Sequence, residues 1–145
     1  HFTGRANGRF EWLIAPLDTG SAVGWISLRL GDHGAATAEL GYSLLVGARG
    51  HGYAAESVGL LCDEAFASTP LRRIEAACVV ANLPSRRLLE RLGFNCVRTQ
   101  RHGAVVRGQA VDIMIFEVVR DRWLRRRAAA ALPSGGGRSR RAPVE

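Results

Sequence analysis

At Arg49 the hydrophobic pattern of this chain changes period, and a glycine-rich hexapeptide marks the change. Upstream, Ile26, Leu28 and Leu30 alternate with Ser27 and Arg29, the two-residue period of a half-buried strand. Downstream, Ala54, Val58, Leu61, Cys62, Ala65 and Phe66 recur at helical spacing and form one stripe along residues 53–67. Arg49-Gly50-His51-Gly52-Tyr53-Ala54 therefore leads from a strand into the longest helix. Glycine lets a backbone approach a ligand closely, and the free N–H groups of a first helical turn form an anion site. The pattern points to a phosphate or pyrophosphate; a plain glycine turn into a helix is the other reading.

The rest of the chain sorts around that point. Residues 10–15, 23–30 and 38–46 read as three strands of an antiparallel meander, with turns at Pro16–Gly20 and at Gly31–Gly34. Pro70 ends the long helix, and the nearly continuous apolar run 74–80 suits a central strand covered on both faces. Pro84 and Gly93 bracket a short helix over 85–92. Residues 95–101 and 111–119 are expected to form a hairpin around a loop from Gly103 to Gly108.

Charge is distributed unevenly. All 20 basic residues are arginine, and residues 120–145 hold eight of them against two acids, whereas residues 1–119 hold twelve against eleven. The expected division is a domain over 1–120 and an Arg-rich tail over 121–145; residues 121–132 are able to continue as helix, and Pro133-Ser134-Gly135-Gly136-Gly137 with the arginines beyond it is expected to be disordered. Clustered arginine attracts RNA or a ribosome through phosphates, but no aromatic residue interleaves with Arg138, Arg140 and Arg141 for base stacking. No apolar run approaches the roughly 18 residues of a membrane span, and the opening residues carry no apolar signal core. Cys62, Cys78 and Cys96 are odd in number and lie in mostly apolar segments, so they read as buried free thiols in a reduced cytoplasmic setting. His1, His33, His51 and His102 are scattered, and no metal site is expected.

Two phosphate binders compete for the loop. Gly50, Gly52 and Ala55 fit the dinucleotide pattern G-x-G-x-x-A, with Glu75 twenty residues beyond Ala55. That acid should stand at the far end of its strand, yet Glu75 opens one, and the preceding strands are not a βαβ array. Arg49, Gly52 and Ala54 instead meet the pattern R/Q-x-x-G-x-G/A, which resembles the pyrophosphate loop of the GNAT acetyltransferases. Asn82-Leu83-Pro84-Ser85 and the following residues to Gly93-Phe94 are similar to that superfamily's N-x-x-S-x-x-x-x-x-x-x-G-F segment. Ala38-Glu39-Leu40-Gly41-Tyr42 and the segment Arg98–Asp112 resemble its ribosomal-protein N-terminal acetyltransferase branch.

The resemblance implies an α+β fold, a mixed and mostly antiparallel sheet flanked by helices. The family's first strand and first two helices are expected to be missing, since only nine residues precede Phe10. It also implies acetyl-CoA as co-substrate and a primary amine as acceptor. Leu44, Leu45 and Val46 would then flank the pantetheine arm, with a backbone N–H near Leu45 polarising the thioester. Arg49, Gly50, His51, Gly52, Tyr53 and Ala54 would hold or border the pyrophosphate, and Asn82 would bond the pantetheine amides. Glu39 is the candidate general base and Ser85 the candidate proton donor to the thiolate. Each has a plainer alternative: Glu39 as a solvent-facing strand charge, Ser85 and Asn82 as helix caps, Tyr42 as packing. Glu75 and Asp112 are weaker candidate bases. The acceptor is a protein N-terminal amine, an antibiotic amine or a polyamine. A non-catalytic acyl-CoA-binding module is the competing function, and a homodimer is one way to cover a strand edge.

Overall fold

The computed structural model describes residues 8–31 and 36–131. Its elements run β1 (Arg9–Ile14), β2 (Gly24–Leu30), β3 (Thr37–Leu44), α1 (Tyr53–Ser68), β4 (Arg73–Val79), α2 (Leu83–Arg91), β5 (Asn95–Val106), β6 (Gln109–Val119) and α3 (Arg120–Ala131). The six strands form one sheet in the order β1-β2-β3-β4-β6-β5, and only β3 and β4 run parallel. A crossover is needed between parallel neighbours, and α1 supplies it.

The expected helical stripe is the stripe that packs. Ala54, Val58, Leu61, Cys62, Ala65 and Phe66 are all buried against Leu28, Ala38, Leu40, Ile74 and Ala76 from the sheet. Leu88 and Leu89 of α2 and Trp123 of α3 join the same core. All three helices thus lie over one face of the sheet. The opposite face carries Arg29 and Glu39, both exposed, and the half-buried Glu75 and Glu117.

Several expectations need correction. The segment at β4 is covered on one face only: Ile74, Ala76 and Cys78 are buried, whereas Ala77 between them is exposed. Alanine hid the alternation because it is apolar enough to look internal and small enough to sit in water. Val46 belongs to a 3₁₀ turn (Val46–Ala48) rather than to β3. The Gly103–Gly108 loop is largely strand. The hairpin turns tightly at Arg107 and Gly108, whose φ angles of 52° and 80° are those of a two-residue hairpin turn. Gly103 sits instead in a bulge between Gln100 and Ala104, where the backbone N–H of His102 donates to Asp112 Oδ1 at 2.9 Å.

Cys96 is exposed rather than buried, since it lies on β5, an edge strand. Beyond residue 120 the chain continues as ordered helix: Trp123 is 1% exposed, packs on Phe66 and donates its indole N–H to Asp63 at 2.8 Å. The arginine and glycine segment past Ala131, like His1, His33 and most of the Gly31–Gly34 turn, lies outside the described residues.

Candidate active site

β3 and β4 pair from Thr37 opposite Arg73 to Leu40 opposite Ala76, and there the pairing stops. Both strands continue, β3 still paired with β2 to Leu44 and β4 still paired with β6 to Val79. The sheet therefore opens into a fork between residues 41–44 and 77–79. Ala36 C=O accepts from Arg72 N–H on the β4 side, and Leu45 N–H donates to Val23 C=O on the β2 side at 2.8 Å. Alternation along an antiparallel strand then turns the N–H and C=O groups of Tyr42 and Leu44 into the fork. The N–H of Leu45 is thus already bonded, whereas that of its neighbour Leu44 faces the fork.

The glycine loop follows directly. Gly50 and Gly52 have φ angles of 84° and 80°, and a side chain on either would meet nothing within 4 Å. Conformation, not crowding, calls for glycine there, and the space above the loop is open. Gly52 caps α1 and has no side chain to bond it, so among the described residues the N–H groups of Tyr53, Ala54 and Ala55 enter the helix with no side-chain acceptor over them. His51 stacks on Tyr53 with ring centroids 5.4 Å apart. Arg49, Leu45 and Val46 are exposed, the last two as bare aliphatic side chains.

The other wall of the fork is the start of α2. Asn82 Oδ1 accepts from the Ser85 N–H at 3.2 Å and caps the helix, with Pro84 in the first turn. Ser85 Oγ lies 2.6 Å from the Tyr42 hydroxyl, a bridge from α2 to the open stretch of β3. Tyr42, read from sequence as packing, thus carries a polar contact. The available signal was its inward register between Leu40 and Leu44, because a buried phenol usually finds a partner. Burial raises the Tyr42 pKa, the bond to Ser85 partly offsets this, and Cys78 adds to the rise. Cys78 is buried beside them, its thiol donating to the carbonyls of Val79 at 3.3 Å and Asn82 at 3.7 Å, and burial likewise raises its pKa. Arg86 donates to Val80 C=O at 3.1 Å, while its buried Nε has no partner among the described residues.

Leu44, Leu45, Val46, the 49–54 loop, Asn82 and Ser85 therefore gather around the open end of the fork. Glu39 does not join them. It stands at the closed end, on the face away from the helices, and is ion-paired with Arg29. It heads a register row with Glu75 and Glu117, which pair with Arg98 and Arg73, each at 3.5 Å. Asp112 is occupied by the bulge in β5. Among the described residues no cluster of His, Cys, Asp and Glu is arranged to hold a metal, and no helix is long and apolar enough to cross a membrane. A cleft of about 740 Å³ lies between β1 and α1, lined by Leu13, Leu17, Tyr53 and Leu60 among others.

A forked parallel pair, an uncapped helix start and a glycine loop in one place narrow the family, and comparison decides it. Residues 2–95 match the acetyltransferase (GNAT) domain. The chain belongs to the GNAT family. It is 32% identical over 117 residues to an uncharacterised N-acetyltransferase, p20, of Bacillus licheniformis, covering 81% of this chain and 64% of that one. Among solved structures, ribosomal-protein-S5-alanine acetyltransferase from Vibrio fischeri has a TM-score of 0.74 at 24% identity, covering 81% of this chain and 64% of its own. Mutant forms of the spermidine/spermine N-acetyltransferase SpeG from Vibrio cholerae have a TM-score of 0.76 at 18% identity, over 83% of this chain and 72% of that one. These two likenesses concern the GNAT fold. The chain spans less than two thirds of the length of the curated relatives it matches. The fold is the expected one, a mixed and mostly antiparallel sheet with helices.

Proposed function

We propose that this GNAT domain transfers the acetyl group of acetyl-CoA to a primary amine. The observation that carries the reading is the fork. Free backbone groups of Tyr42 and Leu44 stand between a bare, positive-φ glycine loop and the capped start of α2. Acetyl-CoA supplies an activated acetyl group as a thioester, and its parts match this donor set. The N–H groups of Tyr53 and Ala54 hold the pyrophosphate with the help of the helix dipole, and Gly52 leaves room for it. The arm pairs with the fork edge of β3 as an added strand, covering Leu45 and Val46, while the side-chain nitrogen of Asn82 remains for its amides. The N–H of Leu44 polarises the thioester carbonyl. A preorganised donor of this sort is worth several kcal/mol in the transition state.

Glu39 faces the side of the sheet that the helices leave open. It accepts the ammonium proton through water, because it stands at the closed end of the fork, and Arg29 holds its carboxylate in place. Ser85 serves the departing sulfur. The acceptor is a protein N-terminal α-amine, in line with the name of the Vibrio fischeri structure, or a polyamine, in line with the name of SpeG. A reduced cytoplasmic setting for the three free thiols is part of the same reading.

The test is acetyl transfer from acetyl-CoA to peptides with N-terminal alanine or serine and to spermidine, followed by mass spectrometry. Turnover on one class identifies the acceptor. Tight CoA binding with no turnover on any primary amine would instead favour an acyl-CoA-binding module.

A further inference from the structure

The geometry points to Tyr42 as a positioning residue for Ser85: its hydroxyl donates to Ser85 Oγ and leaves the serine proton free to meet the thioester sulfur as it departs. The inference rests on the acetyl-CoA reading above and deepens it at one atom.

A serine hydroxyl has one proton and two acceptor sites. If that proton were spent on Tyr42, none would remain for the sulfur. Three neighbours decide where it goes. The Ser85 N–H is tied to Asn82 Oδ1 at 3.2 Å, which anchors the residue in the first turn of α2. The Cys78 thiol donates to the carbonyls of Val79 and Asn82, so its proton points away from the serine, and its sulfur, in hydrogen-bond contact with Ser85, is a weak acceptor whose place the CoA sulfur takes. The Tyr42 oxygen lies 2.6 Å from Ser85 Oγ, and a phenol is the stronger acid of the pair. The phenol therefore donates, the serine oxygen accepts, and the serine proton is directed elsewhere.

Tyr42 also sits where such a bond is useful, two residues past Leu40, the last residue of β3 paired with β4. Its hydroxyl reaches α2 across the open fork. Cys78 on β4, Arg86 and Glu90 on α2 and Cys96 on β5 are the other titratable or charged groups around this place among the described residues.

The step balances as follows. The amine nitrogen bonds to the carbonyl carbon, the carbon–sulfur bond breaks, and its electron pair moves onto sulfur. Sulfur takes the Ser85 proton, Ser85 takes that of Tyr42, and Tyr42 recovers one through water from the proton the attacking nitrogen sheds. No other reactant is consumed.

The experiment uses the full chain and CoA itself, so it needs no knowledge of the acceptor. The thiol of bound CoA is titrated by its ultraviolet thiolate absorbance, with the desulfo-CoA complex of the same protein as blank. The Ser85 hydroxyl aimed at sulfur, made a better donor by the bond it accepts from Tyr42, stabilises the thiolate, so bound CoA titrates below free CoA. Tyr42→Phe raises that midpoint by about one pH unit, a tenfold loss. Ser85→Ala raises it at least as far, and the double variant goes no further than Ser85→Ala. Desulfo-CoA, which lacks the sulfur, binds all of them alike. Equal desulfo-CoA binding with an unmoved midpoint in Tyr42→Phe overturns the assignment while leaving the acetyl-CoA reading intact. Failure of the wild-type chain to bind either compound overturns both.

Discussion

Removing Trp123 tests whether the last helix belongs to the domain. The indole is 1% exposed, its ring lies 6.5 Å from that of Phe66, and its N–H donates to Asp63 at 2.8 Å. Truncating an aromatic residue of this size in a core costs about 3–5 kcal/mol. That is a large share of the roughly 5–15 kcal/mol holding a domain together. Trp123→Phe separates the contributions. It keeps most of the apolar contact and removes the indole donor. Asp63 retains Arg127 at 2.8 Å, and its side chain is 32% exposed, so water reaches the vacated place. The lost hydrogen bond should then cost only about 1 kcal/mol. Trp123→Ala is therefore expected to lose about 3–5 kcal/mol and Trp123→Phe about 1–2 kcal/mol in urea unfolding followed by far-ultraviolet circular dichroism. A Trp123→Ala loss below about 0.5 kcal/mol, the level of an ordinary surface change, would refute the reasoning. Residues from 120 onward would then be an appended tail.

Gly24→Ala should destabilise by about 3 kcal/mol in the same assay, because the new Cβ falls 2.2 Å from Ser43 O, a backbone atom with little freedom to move; an unchanged midpoint contradicts the register of β2 on β3. Glu39→Gln removes an exposed ion pair and should change stability by less than about 0.5 kcal/mol, so that lost turnover at an unchanged melting temperature reports chemistry. A large drop in melting temperature would show that the pair is structural. Ellman's reagent should modify Cys96 rapidly in the folded protein and reach Cys62 and Cys78 only on unfolding; rapid reaction of all three contradicts the burial pattern. Burial also pushes the Cys62 pKa far up, so the folded state keeps that proton longer than the unfolded chain does. Its contribution to stability is full below the ordinary thiol pKa of about 8.5 and is lost above it, by up to about 1.4 kcal/mol per pH unit. Urea midpoints measured from neutral to alkaline pH should show this slope, flattened in Cys62→Ala.

Much of the frame was legible because it rests on local period and local chemistry. The α1 stripe from Ala54 to Phe66 packs residue for residue as its spacing requires. Asn82, Pro84 and Gly93 bracket α2 for reasons contained in those residues: a capping carbonyl, a fixed φ in the first turn, and a φ of 95° after the last. What escaped depends on partners distant in sequence. Tyr42 and Ser85 are 43 residues apart, and only the crossover through α1 and β4 brings them together. Trp123 is a lone anchor among arginines, and nothing nearby announces that Phe66 and Asp63 await it. The bulge at Gly103 resembles a loop because a register shift leaves no mark on hydrophobic alternation. The exposure of Cys96 follows from β5 being the edge of the sheet, which is a property of strand order rather than of the strand.

The central claim is that the fork and the glycine loop form one acetyl-CoA site, and calorimetric titration tests it most directly. The 145-residue chain is titrated with acetyl-CoA, with Gly52→Asp and a dinucleotide as controls. The account predicts binding by the wild-type chain, at least a tenfold loss in Gly52→Asp from the added charge in the loop, and no binding of the dinucleotide. A demonstrably folded chain that ignores acetyl-CoA, or a Gly52→Asp variant that binds it as well as wild type, would contradict it.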